Sequence, residues 1–338
     1  MVRRKGGATV RDVAKRANVS LSTVSNALNF PERLAPETLT KVHDAIAELG
    51  FVRNEAARQL RLGESRVFGM VVIDSDSPFF GALARSVEDA ADALGYSVLI
   101  GNAAQDPERE RRYIQLFEAQ RVEGLFVTPI GDDTGEMKML SALNMPVVLV
   151  DALDAGGQFP AVTVNHEAGG RAAARHLLEM GRRRIALVSG PVQYAQVSAR
   201  NQGAADEIAC CPDAEVLWIE ASQLTLDGGM GVAVQLTDLP ANERPDALFA
   251  PNDLVALGIT EILRSDGSMK IPEDIAVVGY DDVPFSRSAR IPLTSVRQPL
   301  TDIGIAAVEL MMEEKKGGPT RTVSFAPQLI TRTSTAGI

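Results

Sequence analysis

The sequence is poor in cysteine and has no long apolar run. Its two cysteines are the neighbours Cys210 and Cys211, which cannot readily bridge each other, and no CxxC pair or His/Cys spacing accompanies them. We therefore predict buried, reduced thiols in a cytoplasmic protein. No apolar run approaches the roughly 20 residues of a membrane span, and the basic N-terminus leads into Gly6-Gly7 and a polar helix. Membrane insertion and secretion are both disfavoured.

The sequence also lacks recognisable catalytic motifs. The three histidines, His43, His166 and His176, lie in no GxSxG or HExxH context, no Walker motif is present, and a GYDD segment alone is weak evidence for metal. We expect no catalytic residue, no metal and no cofactor. A hydrolase or sugar kinase built on a Rossmann-like body stays open as an alternative, although it would leave the N-terminal segment unexplained.

What the sequence does have is an uneven distribution of charge. The formal net charge of the 338 residues is −10, yet residues 1–66 carry +5 and the remaining residues carry −15. A polyanion-binding head needs such a basic balance, since an acidic body would repel nucleic acid. A merely solvated basic face stays open as the other interpretation. The length is enough for two to three domains.

The stretch TVRDVAKRANVSLSTVSNALN, residues 9–29, predicts two short helices around a tight turn. Thr9 and Asp12 are spaced close to a capping box, and Ser20 should cap the second helix. A third helix should run from Pro36 to a C-cap at Gly50. The apolar positions at helical spacing are Val10, Val13, Ala14 and Ala17, then Val24, Ala27 and Leu28, then Val42, Ala45, Ile46 and Leu49. Three helices around one small core form a helix-turn-helix module, whose second helix can enter the major groove.

The same stretch resembles the DNA-binding head of the LacI/GalR family of bacterial transcriptional regulators. The resemblance continues through ELGFVRNEAARQLR to the closing LITRTST, and so covers nearly the whole chain after the first eight residues. It implies an operator-reading head carried by an acidic sensor body.

The resemblance assigns DNA contacts to the head. Exposed positions of the second helix read base edges in this family, and they fall on Leu21, Ser22 and Asn26. A thymine methyl suits Leu21, a hydroxyl contact suits Ser22, and adenine suits the Asn26 amide. The expected phosphate anchors, which set register without reading sequence, are Thr9, Ser20, Thr23, Ser25 and Asn29.

The segment NEAARQL, residues 54–60, resembles the hinge helix of the family. The resemblance implies that Leu60 wedges into a central base step from the minor groove, flanked by contacts from Ala57 and Arg61. A seven-residue helix is too short to persist alone, so we expect it to fold on DNA against a twin helix. Arg53 departs from the usual proline of the family. An ordinary linker role for Leu60 stays open.

The body alternates apolar runs with helical segments, which predicts parallel sheets covered on both faces. The predicted fold is an all-α helix-turn-helix head plus an α/β bilobed sensor domain like periplasmic binding proteins, with two doubly wound parallel-sheet lobes. We expect a DNA-binding domain at 1–53, a hinge helix and linker at 54–66, and an effector-binding and dimerisation domain at 67–338. Its N-lobe should span about 67–165 plus 292–328 and its C-lobe about 166–291.

Ligands bind outside the carboxyl ends of the strands in such sheets, here in the cleft between the lobes. The resemblance carries effector contacts to Phe79, Asp151, Tyr194, Gln196, Arg200, Asn252, Asp281 and Gln298. Phe80 could belong to the core instead, and Asp253 and Asp282 could simply cap helices. Carboxylates, amides and one arginine beside an aromatic ring suit a polyol.

Together these features predict a cytoplasmic, nucleoid-associated repressor. Its partners would be double-stranded operator DNA, a sugar-like effector and a second copy of the chain, because a palindromic operator and paired hinge helices need a dimer. The chain has no leucine heptad tail, which favours a dimer over a tetramer. Control by a protein partner rather than a small molecule stays open.

Overall fold

The computed structural model describes residues 8–51, 65–131, 135–142, 144–153, 156–191 and 194–336. The chain divides into two compact units, Met1–Ser65 and Arg66–Ile338. The predicted hinge, with Ala57, Leu60 and Arg61, lies outside the described residues.

The first unit is a three-helix module, as predicted. Its helices are α1 (Val10–Ala17), α2 (Leu21–Asn29) and α3 (Pro36–Leu49), with a 3-10 turn at Pro31–Arg33. Both halves of the Thr9–Asp12 capping box form, and Ser20 accepts from the backbone N–H of Thr23. Gly50 ends α3 in the left-handed conformation, with a φ of 56°. The core contains Val13, Ala14, Val24, Ala27, Val42 and Ala45.

The second unit contains two six-stranded sheets, which define its lobes. The N-lobe sheet has the order β11-β5-β4-β3-β1-β2, and the C-lobe sheet has the order β12-β10-β9-β8-β6-β7. The N-lobe strands are β1 (Val67–Val72), β2 (Ser97–Asn102), β3 (Leu125–Val127), β4 (Val147–Val150), β5 (Ala161–Val164) and β11 (Thr322–Phe325). The C-lobe strands are β6 (Arg184–Ser189), β7 (Glu215–Glu220), β8 (Ala247–Phe249), β9 (Ala276–Asp281), β10 (Thr294–Arg297) and β12 (Gln328–Ile330).

Helices connect the strands and bury their apolar faces on the sheets. They are α4 (Pro78–Asp92), α5 (Pro107–Ala119), α6 (Gly135–Ala142), α7 (His166–Glu179), α8 (Ala195–Ala209), α9 (Leu226–Asp238), α10 (Asp253–Asp266), α11 (Pro284–Ser288) and α12 (Leu300–Glu314). All strand pairs in the two sheets are parallel except β10 with β12. The bilobed α/β architecture therefore agrees with the prediction.

The boundary between the lobes differs from our expectation. We placed residues from about 292 in the N-lobe, but β10 pairs in parallel with β9, with Thr294 opposite Val278. The chain reaches the N-lobe only afterwards, through α12 and β11, and then returns at β12 to pair with β10. Val296 of β10 is buried in the C-lobe core, and the buried hydroxyls of Thr294 and Ser295 bond to Thr335 and Asp253 of the same lobe, which holds this strand there.

The two cysteines also correct a prediction. Cys210 is exposed and Cys211 is partly exposed, rather than buried, because α8 ends at Ala209 and the chain turns at the surface. Both thiols are free. Among the helices that the structure describes, none combines the length and apolar character that crossing a bilayer requires.

Candidate functional site

A cavity of about 300 Å³ lies between the two lobes. Its walls come from segments that follow the carboxyl ends of β1, β2 and β4 on one side and of β6 to β9 on the other. This is the position at which doubly wound sheets bind ligands. The cavity is therefore the candidate effector site.

Most of the predicted effector residues meet in this cavity. Seven of them line it: Phe79, Asp151, Tyr194, Gln196, Arg200, Asn252 and Asp281. Gln298 is buried behind the wall, where its Nε2 donates a 2.9 Å hydrogen bond to Oδ1 of Asp281. Gln298 therefore holds a lining residue, and its own contact with the effector stays a prediction. Because β10 pairs with β9, the residue after β10 lies beside Asp281 and positions it.

Arg200, in the first half of α8, donates hydrogen bonds to protein groups from two of its three nitrogens. Its Nη1 donates to the carbonyl of Pro251 at 2.7 Å, and its Nε donates to Nδ1 of His166 at 3.3 Å. Its guanidinium carbon lies 3.7 Å from the ring centroid of Tyr280, a cation–π contact. Nη2 lies 3.7 Å from Oδ1 of Asp281. The guanidinium is held in one orientation on the C-lobe wall.

His166 connects Arg200 to the other lobe. Since Nδ1 accepts from Arg200, the ring proton is on Nε2, which lies 3.2 Å from Oδ1 of Asp151. Burial, assisted by Arg200, lowers the pKa of His166, so the ring is neutral near pH 7. Our sequence reasoning noted His166 only as lying outside catalytic motifs. Its position directly after β5 and the cap residue Asn165 was the available signal.

Two carboxylates occupy strained backbone positions at strand ends. Asp151, after β4, has a φ of 55°, and Asp281, the last residue of β9, has a φ of 102°. Such backbone conformations are costly for residues other than glycine and cluster at functional sites. Burial raises the pKa of Asp281 to about 8, although Arg200 opposes this shift. The Asp281 carboxyl is therefore mostly protonated at neutral pH.

The aromatic wall differs in detail from our expectation. Phe79 and Phe80 both line the cavity, with ring centroids 5.1 Å apart in an edge-to-face arrangement. Phe79 is only 3% exposed and belongs to the N-lobe core. Phe80 is partly exposed and is the more accessible ring of the two, which disfavours the alternative that Phe80 belongs to the core.

Further polar residues line the cavity that our sequence reasoning did not assign. Gln105 donates from Nε2 to Oδ2 of Asp74 at 2.7 Å and accepts from the Tyr194 hydroxyl at 3.1 Å. Gln196 donates to the backbone carbonyl of Asp151 at 2.6 Å. These contacts join the start of α8 to the N-lobe. The signal for Asp74 was its position directly after the apolar run VFGMVVI, residues 67–73.

Asn252 and Asp253, at the start of α10, have different structural roles. Asn252 caps this helix by accepting from the backbone N–H of Val255, and it lines the cavity as well. Asp253 is not the cap. Its buried carboxylate accepts from the backbone N–H of Val283 and from the hydroxyls of Ser286 and Ser295, and burial raises its pKa to about 6.

The carboxylate of Asp282, which we also considered a helix cap, pairs instead with Arg297 and Arg332 at 2.6 Å each. Among the described residues, no group of three or more His, Cys, Asp and Glu side chains has a metal-binding arrangement.

In the first unit, the predicted base-reading positions lie on the surface of α2. Leu21 is 48% exposed, Ser22 is exposed and Asn26 is partly exposed. The hydroxyls of Thr9 and Ser20 accept from the backbone as helix caps. Thr23 and Ser25 are partly exposed on the same helix.

Comparison with known proteins agrees with this geometry. Residues 9–54 match the family model described as bacterial regulatory proteins, lacI family, and residues 174–335 match the periplasmic binding protein-like domain. The HTH-type transcriptional repressor PurR of Klebsiella pneumoniae (strain 342) is 32% identical over 97% of both chains. The chain belongs to the LacI family.

Solved structures of family members show the same architecture. The lac repressor dimer bound to operator and the anti-inducer ONPF has a TM-score of 0.84 and 26% identity, covering 98% of this chain and 99% of that one. The complex of transcriptional regulator CelR with cellobiose has a TM-score of 0.71 and 28% identity, covering 97% and 99%.

The family assignment establishes the general function. The protein is a DNA-binding transcriptional repressor of the LacI/PurR type with an effector-binding sensor domain. The alternative of an enzyme built on the Rossmann-like body is excluded, because these relatives are repressors.

Proposed function

We propose that the protein is a homodimeric repressor of a palindromic operator, and that a sugar-like effector in the interlobe cavity controls its operator affinity. The observation that carries this proposal is the cavity itself, where carboxylates, amides and aromatic rings of two lobes converge. Alternating donors and acceptors suit hydroxyl groups, and an accessible ring suits the C–H face of a sugar. CelR, a relative over the whole chain, binds cellobiose.

The DNA-reading part of the proposal rests on the surface of α2. Leu21, Ser22 and Asn26 would read base edges, and the phosphate anchors would be Thr9, Ser20, Thr23, Ser25 and Asn29. From the family resemblance, Leu60 would wedge into the minor groove beside Ala57 and Arg61. Such a protein would act in the cytoplasm on nucleoid DNA.

The dimer is supported by exposed apolar residues on the edge strands. Leu99 and Ile100, on edge strand β2, are 46% and 44% exposed, and Trp218, on edge strand β7, is 55% exposed. Exposed apolar edge strands invite pairing or aggregation unless another chain covers them. A second copy covering both edges would also present two heads to a two-fold symmetric site.

The test begins with the full-length protein and random double-stranded DNA. Repeated selection should enrich an inverted repeat, and sedimentation velocity should show a dimer on the enriched duplex. Affinity should fall steeply with salt because phosphate contacts release counterions. Asn26→Ala should weaken discrimination at one base pair per half-site by about 1–3 kcal/mol, whereas Asp44→Ala, on the exposed surface of α3, should not.

Two outcomes would contradict the proposal. Equal affinity for the best inverted repeat and for scrambled DNA would remove the palindromic operator. Operator affinity that responds to no sugar or nucleoside, but changes when a host protein fraction is added, would replace the small effector by a protein partner.

A further inference from the structure

The cavity is strongly acidic for a site with one cation. The acidic and basic groups lining it are the carboxyl groups of Asp74, Asp76, Asp151 and Asp281 and the guanidinium of Arg200. These are the acidic and basic groups of the wall within the part of the chain that the structure describes. Because the Asp281 carboxyl is mostly protonated at neutral pH, the acidic character of the cavity comes from the three aspartates of the N-lobe wall. The undescribed short segments of the sensor unit, 132–134, 143, 154–155, 192–193 and 337–338, contain no lysine or arginine in the sequence.

Arg200, the one cation among the described lining residues, is held in place by contacts with other protein groups. Anion-binding arginines present two parallel donors to a phosphate or carboxylate. Arg200 instead directs Nη1 to the Pro251 carbonyl and Nε to His166, and its flat face lies against Tyr280. Nη2 faces Asp281, the neighbouring acid. Turning the guanidinium toward an anion would break these contacts inside a buried site.

Two helix N-termini reach the wall of the cavity, and carboxylates near one of them weaken the preference that a helix N-terminus has for anions. The N-termini of α4 and α8 have no side-chain cap and contribute lining residues such as Ser77 and Gln196. A helix N-terminus favours an acceptor oxygen through roughly half a positive charge. Asp74 and Asp76 lie within four residues before α4 and offset that charge. Hydroxyl or carbonyl oxygens can accept these N–H groups without meeting the repulsion that a dianion would meet.

We propose that the cleft selects an uncharged effector and rejects its phosphorylated form. This inference rests on the proposed small-molecule control and names the charge class of the ligand. The carboxylates of the N-lobe wall and the protonated Asp281 carboxyl of the C-lobe wall would bind hydroxyls, and no free cation within the described wall remains to neutralise a phosphate.

Calorimetric titration of the full-length protein with matched pairs tests the proposal. The pairs are ribose and ribose 5-phosphate, glucose and glucose 6-phosphate, cellobiose and its 6-phosphate, and adenosine and AMP. We expect at least one uncharged compound to bind, and its phosphate to bind on the order of 100-fold more weakly, as repulsion by two or three nearby carboxylates implies. A phosphorylated compound that binds as tightly as its partner, or more tightly, would overturn the proposal.

Charge variants at the cavity rim separate electrostatics from shape. Asp76 is exposed, so Asp76→Asn and Asp76→Lys alter charge without opening the core. Each unit of charge removed or reversed at Asp76 should raise the ratio of the affinity for the phosphorylated compound to that for its uncharged counterpart by roughly fivefold. Asp238→Asn, an equal charge change on exposed α9 away from the lining, should leave the ratio unchanged. A ratio that responds to neither Asp76 variant would overturn the electrostatic argument.

The result also distinguishes this inference from the broader proposal. Binding of phosphorylated compounds alone would contradict charge selection while keeping small-molecule control. Failure of every compound in both sets, with intact operator binding, would overturn sugar or nucleoside control and charge selection with it.

Discussion

At the scale of single residues, the protonation of Asp281 gives the cleft a characteristic pH dependence. Burial raises its pKa to about 8, whereas an aspartate in an unfolded chain titrates near 4. Between these values the folded protein holds a proton that the unfolded chain has released, so this residue lowers stability as pH rises from about 4 to 8.

Asp281→Asn should remove that contribution. The amide oxygen can still accept from Gln298, so the stability of the variant relative to wild type should increase with pH across the window, by on the order of a few kcal/mol. Urea unfolding at pH 5, 6, 7 and 8 measures this difference. Asp253 and His166 are present in both proteins, so most of their own contribution to the pH dependence cancels in the comparison.

The surface variant Asp238→Asn provides the control, and its stability difference from wild type should be flat over the same pH range. A flat difference for Asp281→Asn as well would mean that the folded protein carries the carboxylate ionised throughout. In that case the pairing with Arg200 would outweigh the cost of burial.

The residues that line the candidate effector site were easier to predict from the sequence than the hydrogen bonds and ion pairs between them. Arg200 and Asp281 follow from the family resemblance, and both line the cavity. His166 did not follow, because its partners Asp151 and Arg200 are distant in sequence and meet it only when the lobes assemble. The partner of Gln298 did not follow for the same reason: strand pairing, which periodicity does not show, directs its amide at Asp281.

At the scale of secondary structure, the apolar runs of the buried strands predicted most of the two sheets. The elements missing from our sequence reasoning are short or polar, such as β12 with three residues, partly or fully exposed. Our predicted boundary between the lobes, near residue 292, is wrong because β10 and β11 are both short strands. Pairing partners, rather than local sequence, assign them to different sheets.

The packing of α7 on α8 gives a prediction at this scale. A Cβ on Gly170 would lie 1.8 Å from the backbone carbonyl oxygen of Arg200. Gly170→Ala must therefore separate the helices and displace Arg200, at a cost of about 2 kcal/mol or more. We expect lower stability in urea and weaker effector binding from the same substitution.

Gly231→Ala is the matched control, because this glycine lies within α9 and a Cβ added to it would meet no atom within 4 Å. Alanine there should stabilise the protein by about 0.5–1 kcal/mol. Unchanged stability of Gly170→Ala would show that the two helices can part without loss, and that their close approach does not hold Arg200.

At the scale of the whole molecule, the basic head binds DNA and the acidic sensor unit binds the effector. Coupling between two ligands requires that each discriminates between the same two states, and the effect is reciprocal. Within the sensor unit, the contacts that would distinguish closed from open lobes are those across the cleft. The Tyr194 hydroxyl bonded to Gln105 is one of them.

Tyr194→Phe should shift the lobes toward the open state while keeping the aromatic ring. Loss of one hydrogen bond of about 1 kcal/mol should weaken binding of an effector that needs closed lobes by roughly fivefold. The same shift should also change the operator affinity of the effector-free protein, in the direction opposite to the change that the effector causes. Operator affinity should therefore rise if the effector is an inducer and fall if it is a corepressor. Calorimetry and fluorescence anisotropy with the selected operator measure the two quantities.

Tyr96→Phe separates closure from a general loss of stability. Its hydroxyl receives a 2.9 Å hydrogen bond from Lys315 inside the N-lobe, so this variant loses a hydrogen bond that does not cross the cleft. Its effector and operator affinities should match those of wild type. If Tyr194→Phe weakened effector binding but left effector-free operator affinity unchanged, the Tyr194 hydroxyl would contact ligand alone. Control of the operator would then have to run through Gln196, His166 and Asp151 instead.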